Sequence, residues 1–411
     1  MKFEVAKVKG FQDFLPPEGL KRQKIREIIE NKFKLHGFQP VETPTVEYDE
    51  LMMPEQIATE VEDEAVSDRF RLKDRGGRNL GLRYEFTFQL KRIFKENPNI
   101  KLPFRRYQIG QVFRDEPTSS SRFREFTQCD ADVIGSSEVS IDAELLSLAS
   151  EILKELNITA EIQVNNRKLM NAIIESVQIK ETSQVLKEID KLDKIGEDNV
   201  RTNLKKYADT NQILTLFKLL EKSLEFFKEN KFDGSDELQA LIDEAEHYNL
   251  RLIFNPYMVR GLGYYTGNVF EIVPEEESEN NGSIAAGGRY DKTVGSLLGR
   301  DIPAVGISFG LERVSSLAKI KIESLPKALI ISIDQNKQAI KLVSSLRKKS
   351  ISCIMTDDKP GKALEYANAM QIPYAIFLGK DEIEQKRFKL RNMVSGEEKL
   401  LTEKQLLTEI K

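Results

Sequence analysis

Arginines and carboxylates recur in this chain at spacings that could handle a charged phosphate. In RFREFTQCDAD, an extended chain of period two puts Arg122, Arg124, Gln128, Asp130 and Asp132 on one face, with Phe123, Thr127, Cys129 and Ala131 on the other. The run QIGQVFRDE just before it places Arg114 and Glu116 on one face with Gly110 and Val112. Such a face must be wet, internally paired or occupied by a charged ligand, because an unpaired buried ion is costly. Gly110 would leave room for a ligand, although a solvated, salt-bridged face accounts for this stretch equally well.

Later segments favour the ligand. VRGLGYYTGNVFEI packs Arg260, three glycines, Tyr264 and Tyr265 into a turn and one strand. Gly287, Gly288, Gly306 and Gly310 weaken strands unless something must approach the backbone closely. Arg313 follows Gly310 in the first turn of a helix, where a cation opposes the helix dipole and a bound anionic phosphate would offset it. LRYEFT spaces Glu85 and Thr87 two apart, which predicts one side of a strand.

Other chemistries are excluded by composition. The 411 residues contain two histidines, His36 at a helix end before Gly37 and His247 in the charged run DEAEHYN. Both read as structural, which argues against a Ser/His/Asp triad or a histidine-based metal site. Neither G-x-x-x-x-G-K-[ST] nor G-x-G-x-x-G occurs. Cys129 and Cys353 are too few for a disulfide framework, and there is no membrane-length apolar run or signal-peptide core, so a cytoplasmic protein is expected. Net charge is −4, yet Lys91 to Arg124 carries nine Lys or Arg against Glu96, Asp115 and Glu116, a local basic surface.

The elements that must position these groups follow from periodicity. Pro17 to Leu35 predicts an amphipathic helix. RNLGLRYEFTFQLKRIF predicts a strand running into a helix, and Arg105 to Asp132 an antiparallel hairpin around PTSSS. Asn166 to Tyr248 is helical in pattern and rich in Lys and Glu, lying between two strand-rich regions. The last ~85 residues alternate strand and helix, as expected of a small α/β domain with parallel strands.

FRDEPTSSSRFREFTQCDAD and GISFGLERV resemble motifs 2 and 3 of the class II aminoacyl-tRNA synthetases, with Pro44 at the place of the motif 1 proline. RGLGYYTGNVFE and AAGGRYD resemble the two signature segments of the histidyl-tRNA synthetases, and the similarity runs through nearly the whole chain. It implies an α+β fold: an antiparallel-sheet catalytic domain at residues 1–165 and 249–322, a helical insertion at 166–248, and an α/β anticodon-binding domain at 326–411. The implied reaction joins histidine to ATP as an adenylate, then transfers the histidyl group to tRNA(His).

Residue roles come with the resemblance. Arg114 matches the motif 2 arginine at the α-phosphate and the substrate carboxylate, and Arg260 the histidyl-specific arginine on the opposite side. Glu85 and Thr87 correspond to residues that hold the α-ammonium. Gln128, Asp132, Tyr264 and Tyr265 correspond to the histidine site, with the last three at the imidazole. Glu116, Arg122 and Arg313 map to the ATP site. Mg²⁺ is expected with ATP, without a dedicated protein metal site, and a homodimer is implied. The chain departs from the family pattern at Gly263, where Asp is common, at Gln89, where Pro is common, and in the PTSSS loop, which lacks the usual Gln. The competing readings are a synthetase-like regulatory subunit of histidine biosynthesis, a non-catalytic histidyl-synthetase-like protein, and another class II specificity. The regulatory paralogue generally lacks the arginine-bearing signature and the anticodon domain, both of which are recognisable here.

Overall fold

The computed structural model describes residues 6–52, 68–119, 122–260, 263–275, 282–323 and 325–410. Gly261, Ser120 and Ser121, which belong to the segments singled out above, lie outside these. The chain divides into two compact units, Met1–Ile320 and Lys321–Lys411. No helix among the described residues is long and apolar enough to cross a membrane.

In the first unit, helix α1 (Glu18–Leu35) buries Ile25, Ile28, Ile29 and Phe33 along one stripe, as their spacing predicts. Gly37 follows with φ of 77°, a left-handed geometry that costs glycine little. The strands are β1 (Gln39–Pro40), β2 (Val46–Tyr48), β3 (Arg71–Lys73), β4 (Asn79–Leu82), β5 (Phe104–Phe113), β6 (Glu125–Ile134), β7 (Ala160–Asn166), β8 (Leu252–Phe254), β9 (Asn268–Pro274), β10 (Ala285–Arg289) and β11 (Ala304–Gly310). Eight of them form one sheet in the order β1-β5-β6-β11-β10-β9-β7-β8. Only β1–β5 and β7–β8 pair in parallel. The remaining three form a small antiparallel sheet, β2-β4-β3.

The expected hairpin is β5–β6, paired from Phe104↔Ile134 to Phe113↔Glu125. Strand alternation sorts β6 into two faces. Cys129, Ala131 and Val133 pack behind the sheet with α1 and with Leu145, Ala149 and Ile152 of the helix at Val139–Glu155. Gln128, Asp130 and Asp132 face the front, and all three are buried. Burial pushes the Cys129 thiol far up, as suits an apolar filler.

Four local expectations need correction. Arg122 and Arg124 precede β6, and once pairing stops at Phe113↔Glu125 the period-two rule no longer holds. Arg124 ion-pairs with Asp115 at 3.3 Å and donates to the Glu116 carbonyl at 3.1 Å. Glu85 and Thr87 lie in the link between β4 and the helix at Phe88–Glu96, not on a strand. Tyr264 and Tyr265 sit in the turn before β9 rather than in it. Gly110 opens no ligand space: a Cβ there would meet Arg83 Nη2 at 3.0 Å and Phe86 at 3.5 Å.

Between β7 and β8 the chain is helical from Arg167 to Glu246, and its buried positions, among them Ile173, Leu186, Leu216 and Leu241, join the core behind the sheet. A buried polar network ties neighbouring elements together. Arg289 Nη2 donates to Asp142 Oδ1 at 2.6 Å, Asn268 Nδ2 to Asp142 Oδ2 at 3.1 Å, and Asn166 Nδ2 to Asn268 Oδ1 at 2.9 Å.

The second unit is a five-stranded sheet built from β12 (Ala328–Ser332), β13 (Cys353–Thr356), β14 (Tyr374–Leu378), β15 (Phe388–Asn392) and β16 (Glu398–Leu401), in the order β13-β12-β14-β15-β16. The first three are parallel, as alternation with helices predicts. The last two, which the alternation did not anticipate, are added antiparallel. FKLRN and EKLL carry too few apolar side chains to announce themselves, because these edge-side strands remain partly exposed.

Candidate active site

The front of the large sheet carries a cavity of about 240 Å³. Its floor is set by register. One row across the sheet runs Arg106, Asp132, Gly306, Gly288, and the next runs Gln108, Asp130, Ser308, Ala286, Glu271. Gly306 and Gly287 are there for close approach. A Cβ at Gly306 would stand 2.0 Å from Asp132 Oδ1, and one at Gly287 2.0 Å from the Gly306 carbonyl oxygen. Gly288, at φ of 154°, lies under the Tyr265 ring. A Cβ at Gly310 would meet nothing within 4 Å, and this glycine lines the cavity.

The floor is acidic and dry. Glu85, Asp130 and Asp132 are each 4–5 % exposed, and Arg106 beside them is fully buried. Arg106 Nη2 lies 2.7 Å from Asp132 Oδ2, but the pair lacks the alignment of a hydrogen bond. The Tyr290 hydroxyl donates to Asp132 Oδ1, and the Tyr264 hydroxyl donates to Glu85 Oε2 at 2.9 Å. Burial raises the acids above their usual range, Glu85 to about 7 and Asp130 to about 8. Burial also raises Asp132, against the pull of Arg106.

The walls are cationic. Arg114, just past the end of β5, stacks 4.4 Å from the centre of the Tyr84 ring and 5.0 Å from that of Phe126. Arg260 donates through Nη1 to Glu271 Oε1 of β9. Burial works against the Arg260 charge, yet Glu271 and Tyr265 outweigh it and hold the guanidinium ionised. Arg313 donates to the Ser283 carbonyl at 2.8 Å, and its pKa is lowered by burial and then by Arg122 and Arg114. Three like charges therefore converge where an anion would be welcome. Arg122 pairs loosely with Glu116, at 3.4 Å.

All of the sequence-derived site residues, namely Glu85, Thr87, Arg114, Glu116, Arg122, Gln128, Asp132, Arg260, Tyr264, Tyr265 and Arg313, line this one cavity. Sequence reasoning missed Arg106, Tyr290 and Glu271 as partners of Asp132 and Arg260. Glu271 leaves a trace, an acid inside the apolar strand VFEIV. Arg106 leaves none, because only the β5–β6 register puts it opposite Asp132.

Unmatched polar atoms line the cavity. The acceptors Glu85 Oε1, Gln128 Oε1 and Asp130 Oδ1 lack a hydrogen-bond donor among the described residues, and the donors Arg114 Nε and Arg260 Nε lack an acceptor. Buried acceptors beside convergent guanidiniums suit a ligand that joins N–H donors to an anionic centre. No histidine or cysteine lines the cavity. No group of three or more metal-ligating side chains occurs among the described residues.

Comparison with known proteins agrees with this chemistry. A family described as histidyl-tRNA synthetase matches residues 10–314, and one described as anticodon binding domain matches 327–411. Histidine–tRNA ligase 1 of Bacillus cereus is 40 % identical over 96 % of this chain and 94 % of its own length. Histidine–tRNA ligase of Finegoldia magna is 34 % identical over 98 % of each chain. Among solved structures, the histidyl-tRNA synthetase of Nostoc sp. aligns with a TM-score of 0.85 and 27 % identity, over 100 % of this chain and 99 % of that one. A Bacillus halodurans protein described as an ATP phosphoribosyltransferase regulatory subunit/histidyl-tRNA synthetase aligns with a TM-score of 0.74 at 21 % identity, covering 89 % of this chain and 97 % of that one, a likeness of fold alone. With two guanidiniums and an acidic floor in one cavity, and both family matches in chain order, this chain belongs to the histidyl-tRNA synthetase family.

Proposed function

We propose that the cavity carries out histidine activation and transfer: histidine and MgATP form histidyl-adenylate and pyrophosphate, and the histidyl group then passes to the terminal ribose of tRNA(His). The observation that carries this reading is the arrival of Arg114 and Arg260, 146 positions apart in sequence, at one cavity above Glu85, Gln128 and Asp132. The substrate carboxylate is already ionised, so its oxygen attacks the α-phosphorus without a general base. As that O–P bond forms, the bond to pyrophosphate breaks. Arg114 and Arg260 stabilise the charge that gathers on the phosphoryl oxygens.

Glu85 and Thr87 hold the α-ammonium, Gln128 belongs to the histidine site, and Asp132 with the tyrosine pair selects the imidazole. Arg122 and Arg313 clamp the ATP phosphates. Glu116 takes the adenine amino group or a water on the nucleotide-bound Mg²⁺. The remaining assignments are proposals of the same kind: residues 1–165 and 249–322 as catalytic domain, 166–248 as insertion, 326–411 as anticodon-binding domain, and a cytoplasmic homodimer with the Pro44 segment at the dimer interface.

Histidine-dependent ATP–pyrophosphate exchange by the purified protein tests this reading. Robust exchange is expected and excludes a purely regulatory role, whereas folded protein with MgATP that exchanges nothing defeats it. Asp132→Asn is expected to weaken discrimination for histidine by about tenfold, because a buried polar match to the ring is lost. Unchanged selectivity in that variant would remove Asp132 from the imidazole contacts.

A further inference from the structure

Asp130 sits between Gln128 and Asp132 on the front of β6 and lines the cavity, yet none of the roles above uses it. It is 5 % exposed, and its Oδ1 has no hydrogen-bond partner among the described residues. Its carboxyl group accepts from the Ser308 hydroxyl, whose oxygen in turn accepts from Gln128 Nε2 at 2.7 Å. Asp130, Ser308 and Gln128 therefore form one hydrogen-bonded chain along the cavity floor.

The neighbours that could satisfy Oδ1 do not do so. From β5, Gln108 donates through Nε2 to Thr43 Oγ1 at 3.0 Å, and Arg106 lies against Asp132 at 2.7 Å. The phenol of Tyr264 goes to Glu85 and that of Tyr290 to Asp132. The phenols of Tyr264 and Tyr290 thus already donate to carboxylates and that of Tyr265 bonds Tyr264 and Arg260, so the tyrosine pair serves the imidazole by packing against its ring rather than by holding a nitrogen. A neutral imidazole has one N–H and one bare nitrogen, and each needs its own partner in a dry site.

We propose that Asp130 is a further specificity-determining residue, its carboxyl group making the hydrogen bond to one imidazole nitrogen while Asp132 takes the other. This rests on the histidine reading of the cavity. Burial first, then Asp132 against the opposing pull of Arg106, pushes the Asp130 carboxyl up to about 8. Near neutral pH the carboxyl group can therefore carry a proton and donate it to the bare nitrogen as Asp132 accepts the ring N–H. Glu85 is the other acid acting on it, and Ser308, Gln108 and Gln128 are the uncharged polar groups around it.

Pyrophosphate exchange with the full-length protein, varying histidine at saturating MgATP, reads the effect. Asp130→Ala is expected to raise KM for histidine about tenfold or more, with KM for ATP changed by no more than about twofold. Its thermal midpoint should not fall, because a desolvated acid is removed. Ser308→Ala, which cuts the link to Gln128 but leaves the carboxyl group in place, should raise KM for histidine only about twofold. A histidine KM unmoved in Asp130→Ala overturns the proposal, and so does a Ser308→Ala variant that reproduces the whole effect, since Asp130 would then act only through Gln128. Should Asp130→Ala fail to fold, Asp130→Val, which likewise offers no donor, decides: a rise confined to the histidine KM supports the contact, and no rise overturns it. Exchange-competent wild type with indifferent Asp130 variants strikes this proposal alone, whereas wild type without histidine-dependent exchange strikes the ligase reading itself.

Discussion

Arg260→Ala is expected to slow histidyl-adenylate formation on the order of 10²-fold or more while the protein still folds. Arg260 brings a full positive charge to the cavity that Arg114 also lines, and Glu271 holds it through Nη1. A guanidinium held in place before the reaction begins stabilises developing phosphoryl charge with little reorganisation, a benefit that appears mainly in the transition state. The loss should therefore fall on kcat in single-turnover adenylation more than on KM for either substrate. Folding should be little disturbed, because the Glu271 carboxylate left behind is 23 % exposed and can be hydrated. Glu271→Gln should give a milder defect of the same kind, since the neutral amide keeps a hydrogen bond but not the charge. Adenylation at near wild-type rate by Arg260→Ala would contradict the proposed role.

Arg106→Met is expected to have the largest effect on stability, costing about 3–5 kcal/mol. Arg106 is fully buried, and the carboxylates it faces are Asp132 at 2.7 Å, then Asp130 and Glu85. Burial already pushes Asp130 and Glu85 towards the protonated form, so removing Arg106 leaves chiefly the Asp132 charge uncompensated, and that acid must protonate to remain buried. Thermal unfolding should shift down by several degrees, and histidine-dependent exchange should fall with it. The double variant Arg106→Met/Asp132→Leu removes both partners and should recover much of the lost stability without recovering activity. A single Arg106→Met variant that melts with the wild type would show that this ion pair does not hold the floor together.

How far the sequence could be read depended on how local each signal was. The α1 stripe, the β5–β6 hairpin and the front-facing set Gln128, Asp130 and Asp132 were all legible, because a helix or strand imposes its period on its own residues. The same rule misled at Arg122 and Arg124, which lie beyond the paired ladder, and at Glu85 and Thr87, which enter the cavity from a link. Spacing along a chain says which side a residue faces only while the backbone stays regular. The family resemblance still carried these residues to their positions, since it matches motifs whatever backbone holds them.

Gly110 and Gly306 mark the same boundary from the other side. Both are strand glycines, yet the space at one is filled by Arg83 and Phe86 while the other admits the Asp132 carboxylate. The sequence alone determined the residue types of the site, the order of its elements and the family to which the chain belongs. Tertiary structure alone decided that Arg106 underlies Asp132, that Glu271 holds Arg260, and that Asp130 keeps an unmatched oxygen in the cavity. The physical reason is that partners across a sheet are chosen by strand register and order, which join residues far apart in the chain and leave no periodic mark in either segment.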